Sequence, residues 1–226
     1  MNTSIIIQAR VGSTRLPNKI LLKLGKHRVI EWVFRRLQLC TRINSIILAT
    51  TKKKEDDIIC KIAEKNKIYY FRGSEHNVLK RYIDTADHFN ISKIIRICAD
   101  RPFVDPKLID KLVNNFNPRE SDLVYNHIPD KFNLWPIGFG GEILETKTLK
   151  QINTKLLKKK FKEHVTLYLY NNPKYRVKAL KAFFNFESNE RFDLDTLNDY
   201  KKLSKLSKNL DLNDSFISII NKFNLY

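Results

Sequence analysis

Apolar and polar positions change period at regular intervals along the chain. Ser4-Ile5-Ile6-Ile7-Gln8 is a short, β-branched run that stops at the polar stretch Ala9–Lys19, which predicts a buried strand followed by a loop. Ile30, Val33, Phe34 and Leu37 repeat at helical spacing within 29–41, and Ser45–Ala49 is again a buried-type strand. The same reading gives a helix over 55–66, a strand over 68–71, a helix over 77–89 and a fourth strand over 93–99. Strand and helix thus alternate four times with short loops, the pattern of a parallel sheet covered on both faces. After Pro106 the order loosens. A helix over 107–116, a strand over 122–125, a long loop through Pro129, Trp135 and Pro136, and an extended segment over 138–144 are expected. A helix over 161–170, an extended segment over 175–180, a last short strand over 191–194 and helices over 196–205 and 213–222 complete the reading.

Composition changes this picture little. The chain has 226 residues, 42% hydrophobic and 29% charged, which is enough for a substantial core and unlike a disordered chain. No apolar run reaches the roughly 18 residues of a membrane span, and the first ten residues lead straight into strand-like sequence, so the expected location is the cytoplasm. Cys40, Cys60 and Cys98 are widely spaced and offer neither a disulfide framework nor a zinc knuckle. Forty-two Lys and Arg against 24 Asp and Glu give a net charge of +18. The excess is spread over the whole chain, without a zinc finger, RNP block or recognition helix, so it points to an anionic small molecule and not to nucleic acid.

In an open parallel sheet, ligands bind outside the carboxyl ends of the strands. The loop after the first strand carries Arg10, Arg15 and Lys19 around Gly12 and Ser13, a set suited to a triphosphate, although neither GxxxxGK[ST] nor GxGxxG is present. Asp100 ends the fourth strand, where a carboxylate can hold Mg²⁺; its other reading is a turn residue before Pro102. Asp193 and Asp195 fall on one side of an extended stretch and could reach the same metal, while Asp195 could equally cap the helix that starts near Thr196. His164, in the helix over 161–170 with Tyr168 one turn on, has an acceptor-orienting and a structural reading. Glu142, just after Gly140 and Gly141, is an acceptor-site candidate or a surface glutamate.

The block Gln8-Ala9-Arg10-Val11-Gly12-Ser13-Thr14-Arg15-Leu16-Pro17-Asn18-Lys19, with Leu22 and Gly25, resembles the opening of the cytidylyltransferases that activate acidic and surface-polysaccharide sugars. It is most similar to the spore-coat polysaccharide cytidylyltransferase-like family, with CMP-Kdo and CMP-sialate synthetases as relatives. The likeness continues through 71–74, 78–82, 96–102, Asp105-Pro106, 163–166 and Asp195-Thr196 with Asp199, covering about residues 4–200 in order.

The resemblance implies a Rossmann-like, glycosyltransferase-A-like nucleotidyltransferase α/β sheet with helices on both faces. It implies one domain over 1–226, with a nucleotide-binding half (1–120) and an acceptor-binding and dimerisation half (121–226), as a homodimer. By position, Ala9, Arg10, Gly12, Ser13, Arg15 and Lys19 would hold the triphosphate of CTP, and Arg72, Gly73 and Ser74 would border base and ribose. Asp100 and Asp195 would coordinate Mg²⁺ with Asp193 assisting, and Glu142 and His164 would meet an anionic sugar or phosphorylated acceptor. Phe132, Leu134, Trp135 and Ile137 are exposed-looking apolar side chains that would either form a dimer contact or fold back over the acceptor pocket. Two positions depart from the family pattern: Gly140 stands where a G-x-D-x-E acid is common, and Asn77 where an Asp commonly precedes Val78-Leu79. A glycosyltransferase-A enzyme that consumes a nucleotide sugar, or a nucleotidyltransferase for another triphosphate, would share most of these features.

Overall fold

The computed structural model describes residues 2–128, 135–152, 157–182 and 190–224. The first strand, β1 (Thr3–Gln8), is followed by the loop 9–18, a 3-10 turn (Lys19–Leu21) and a small hairpin of β2 (Lys23–Leu24) and β3 (His27–Arg28), which the hydrophobic pattern did not announce. Then come α1 (Val29–Leu37), β4 (Ser45–Thr51), a 3-10 turn (Lys54–Asp56), α2 (Asp57–Lys65), β5 (Tyr69–Gly73), α3 (Val78–His88), β6 (Lys93–Cys98) and α4 (Pro106–Asn115). The later part holds β7 (Leu123–Tyr125), β8 (Glu142–Glu145), α5 (Thr146–Lys150), α6 (Lys159–Glu163), α7 (Leu167–Tyr170), β9 (Val177–Ala179), α8 (Leu197–Ser207) and α9 (Phe216–Asn224).

Among the described residues seven strands form one sheet in the order β5-β4-β1-β6-β8-β7-β9. The first four are parallel, β8 runs antiparallel to β6 and β7, and β9 is parallel to β7. Alternation along β1 explains the two-sided core. Ile5 and Ile7 pack with α1, α4, α8 and α9, whereas Ile6 packs with α3, α5 and α7 on the other face. The chain runs outward from β1 to β4 and β5, then returns to β6 on the far side of β1. That reversal opens a crevice beyond Gln8 and Cys98, and the loops 9–18 and 99–105 flank it.

The second half departs from the periodicity in three places. The helix expected over 161–170 is broken into α6 and α7, with His164 at φ −101°, ψ 87°. The cause is tertiary: Val165 is fully buried and the Thr166 hydroxyl donates to Glu142 on β8, which pulls this turn onto the sheet. The strand expected over 191–194 is reduced to one bridge between Ile137 and Arg191. In the segment expected to be extended over 138–144, only Glu142 and its successors join the ladder. Before it, Gly140 packs so closely on Asn126 that a β-carbon would strike the Asn126 carbonyl. The family's acidic side chain at this position therefore has no room here. Asn77, the other departure, caps α3 by accepting from the Lys80 N–H at 2.9 Å, which an Asp would do equally well.

Trp135 is buried with its indole N–H donating to the Leu180 carbonyl, so it is a core residue and not an exposed dimer contact. Phe132 and Leu134 lie outside the described residues. Among the described residues no helix is long and apolar enough to cross a membrane.

Candidate active site

The structure joins two carboxylates that are 95 positions apart in sequence. Lys19 Nζ lies 2.8 Å from Asp100 Oδ2, 3.1 Å from Asp195 Oδ1 and 2.8 Å from the Leu194 carbonyl. Arg15 Nη1 meets the other Asp195 oxygen at 2.5 Å. Two contacts bring the last segment here: the Leu194 N–H donates to the Asp100 carbonyl at 2.7 Å, and Phe192 and Leu194 are anchored in the core. Burial alone would lower the Lys19 pKa, but Asp100 and Asp195 outweigh it and hold the ammonium above its ordinary value.

The alternative reading of Asp195 as a helix cap does not hold. Thr196 caps α8, in a capping box with Asp199: Thr196 Oγ1 accepts from the Asp199 N–H and the Asp199 carboxylate accepts from the Thr196 N–H. That leaves Asp195 free to face the loop cations. Asp193 does not share this site. Its carboxylate is taken by Arg191, at 3.0 and 2.7 Å, which outweighs burial and lowers its pKa. In this cluster two acids meet, and among the described residues no group of three or more His, Cys, Asp or Glu is arranged to hold a metal.

The loop itself presents donors. Ala9 is buried and its N–H donates to the Ala49 carbonyl. Arg10 is half-exposed, 4.0 Å from Glu75, which Lys53 also engages at 2.6 Å. Gly12 is exposed and Ser13 half-buried, between Arg10 and Arg15 along the loop. Among the described residues no acceptor meets the N–H groups of Gly12, Ser13, Thr14 or Arg15, so four successive donors are open to a ligand.

Beyond β5, a cleft of about 540 Å³ is lined by Lys52, Lys53, Phe71, Arg72, Gly73, Ser74 and their neighbours. The Arg72 guanidinium is fully engaged with Asp57 at 2.6 Å and with the Thr51 and Lys53 carbonyls. It therefore braces the cleft wall and does not reach for a base. Gly73 is required because Arg81 packs where a side chain would stand, with Cγ 2.8 Å from the β-carbon position. Ser74 accepts from the Asn77 N–H, and its carbonyl accepts from Arg81.

Of the two acceptor-site candidates, Glu142 is neither a surface residue nor open to a ligand. It is 2% exposed, and Arg96 (3.0 Å), Thr166 (2.8 Å), Tyr170 (3.1 Å) and His127 (3.4 Å) surround its carboxylate. Burial would raise its pKa, but Arg96, His127 and Thr166 hold it down to about 2. His164 is exposed at the end of α6, with its N–H on the Lys160 carbonyl, and has no contact with the Lys19 cluster.

A family model described as cytidylyltransferase matches residues 4–218. The chain belongs to the cytidylyltransferase family. It is 36% identical over 208 residues to the spore coat polysaccharide biosynthesis protein SpsF of Bacillus subtilis, covering 89% of this chain and 84% of that one. The solved structure of a cytidylyltransferase from Leptospira borgpetersenii superposes with a TM-score of 0.91 at 30% identity, over all of this chain and 94% of the other. A CMP:2-keto-3-deoxy-manno-octonic acid synthetase complexed with CTP shares the fold, with a TM-score of 0.67 at 15% identity, over 91% of this chain and 98% of that one.

Two charged residues of this cytidylyltransferase, Asp56 and Arg96, carry little or no signal of their role in the sequence. Asp56 sits in Lys52-Lys53-Lys54-Glu55-Asp56-Asp57, which reads as a solvated charge run, yet it is wholly buried against the loop. Arg96 had a signal that could have been used: a cation inside the apolar strand Lys93–Cys98 needs a buried partner.

Proposed function

We propose that this enzyme transfers CMP from CTP to a sugar acid or phosphorylated small-molecule acceptor, releasing pyrophosphate, for surface glycan biosynthesis. The observation that carries the reading is the convergence of Lys19 and Arg15 on Asp100 and Asp195 beside four open loop N–H groups, at the switch point of the sheet. An acceptor oxygen forms a bond to the α-phosphorus as the bond from that phosphorus to the bridging oxygen breaks, and the electron pair leaves with pyrophosphate. The loop N–H groups and Arg10 orient the triphosphate in line, and Arg15 and Lys19 take up the charge that develops on the departing pyrophosphate.

Asp100 and Asp195 are the residues that would hold Mg²⁺. Two carboxylates already gathered on one cation are a donor set suited to that ion, which completes its shell with phosphate oxygens and water. Bound there, it supplies neutralisation of phosphate charge. The enzyme works in the cytoplasm as a homodimer in this proposal.

Lys19→Ala and Arg15→Ala should each depress kcat as well as affinity, because the charge they meet is greater in the transition state than in bound CTP. A loss of ~2–4 kcal/mol, as for removal of one preorganised donor, is expected for Lys19. Arg15, whose side chain is 70% exposed, should lose less. Steady-state kinetics of both variants checks this, and unchanged turnover in both would make them ordinary surface cations.

The reading as a whole is tested by pyrophosphate release from CTP, UTP, GTP and ATP against a panel of sugar acids and phosphorylated small molecules. CTP should support acceptor-dependent release well above the other three. Comparable rates with UTP or GTP would remove the base assignment, and a nucleoside diphosphate in place of pyrophosphate would identify an enzyme that consumes nucleotide sugars.

A further inference from the structure

Asp56 is a carboxylate with 0% exposure, at the end of the 3-10 turn Lys54–Asp56. One oxygen accepts the Val11 N–H at 2.7 Å, and the other accepts the Thr51 hydroxyl. Among the described residues it has no ion-pair partner. A β-carbon at Gly12 would stand 3.0 Å from Glu55 Oε1, so the loop lies directly on this turn. A buried anion beside a loop that receives a polyanion works against ligand binding by charge alone. Its compensation is geometric. Peptide units are rigid planes, so pinning the Val11 N–H inward fixes how the chain enters Gly12–Arg15, whose four N–H groups remain open.

We propose that Asp56 is a positioning residue for the triphosphate, holding the Val11 peptide inward so that the open N–H groups of Gly12–Arg15 converge on phosphate oxygens. This rests on the reading of residues 9–19 as the triphosphate loop. The bond is charge-assisted and buried, the class whose loss costs most.

Charge and positioning give opposite signs. If Asp56 acted only through its charge, Asp56→Ala would bind polyphosphate more tightly. Positioning requires Asp56→Ala to bind inorganic tripolyphosphate about tenfold to a hundredfold more weakly by calorimetry, and to raise KM for CTP by a similar factor with a smaller change in kcat. Asp56→Asn retains an oxygen for the Val11 N–H and loses the charge, so it should bind within about threefold of wild type or more tightly, with the Val11 amide still protected from hydrogen exchange. Thr51→Val, which leaves the Val11 bond in place, should also keep its affinity.

Equal or tighter binding by a folded Asp56→Ala overturns the proposal. Should that variant fail to fold, a folded Asp56→Asn that loses tenfold or more in affinity, or whose Val11 amide exchanges freely, overturns it as well. A wild-type protein that binds neither tripolyphosphate nor CTP overturns the triphosphate-loop reading and the proposal together. Wild-type binding with unaffected Asp56→Ala overturns the proposal alone.

Discussion

Asp100→Asn and Asp195→Asn should each lower kcat by ~10²-fold or more, while the double variant should be scarcely worse than the poorer single one. The two carboxylates share one cation, Lys19 Nζ at 2.8 and 3.1 Å, so removing either charge disturbs the partner that the other needs. Residues that act as one unit lose activity non-additively. Folding should be spared. Each change is nearly isosteric, and Asp195→Asn does not touch the cap of α8, which belongs to Thr196 and Asp199. Kinetics of the four proteins, with circular dichroism as the control for fold, decides the matter. Losses that multiply would separate the two carboxylates into independent roles, and full activity of Asp195→Asn would remove it from the site.

Glu142→Ala should cost about 3–5 kcal/mol of stability, because it leaves the Arg96 guanidinium buried without its partner. That is a large part of the roughly 5–15 kcal/mol that holds a domain folded. Replacing both, as Glu142→Leu with Arg96→Met, should recover most of the loss, since a matched apolar pair leaves no uncompensated charge. Urea midpoints of the wild type and these two variants measure this, and a Glu142→Ala midpoint equal to wild type would contradict the buried network.

The same network sets an acid limit. Folded Glu142 is held to about 2 against an ordinary 4.5, so its contribution is present above pH 4.5 and is lost as pH falls from there toward 2. His127 is lowered to about 3, by burial first and then by Arg101. Unfolded histidine takes up a proton below about pH 6.5, which folded His127 refuses until about pH 3, so here too the unfolded state binds more protons and stability falls with pH. Wild-type stability should therefore decline from about pH 6.5 and steepen below 4.5. Glu142→Gln should flatten the limb below 4.5.

Much of the first half of the chain was legible because its signals are local. Ile5–Ile7 and Ile94–Ile97 are runs with a single structural solution between short loops, and the strand ends they define locate Lys19 and Asp100. The pairing of Asp100 with Asp195 was reached through sheet topology and family likeness, since nothing in the intervening sequence states the distance. The second half was less legible because its order is tertiary. Glu142-Ile143-Leu144-Glu145 has an acid at each end and nothing in the pattern says that Glu142 turns inward, but Thr166 and Tyr170 at α7 meet its carboxylate. The same contact breaks the helix that periodicity extends through His164. Asp105-Pro106, matched as a family block, is a helix start: Asp105 accepts from the Lys107 and Leu108 N–H groups and ties in the Phe216 N–H at 2.7 Å. Asp56 shows the limit most clearly, since a charge run gives no sign of which member turns inward.

The fate of label from CTP distinguishes transfer of the α-phosphoryl group with its nucleoside from every other outcome. CTP labelled at the α-phosphorus is incubated with the protein, Mg²⁺ and each anionic acceptor, and the products are separated. α-Label is expected in a new CMP–acceptor conjugate, with label from the γ-phosphorus found, among the products, only in pyrophosphate, and both products lost together in Asp100→Asn. Label from the γ-phosphorus in the acceptor, or α-label confined to CTP across the acid-sugar and phosphorylated panel, would contradict it.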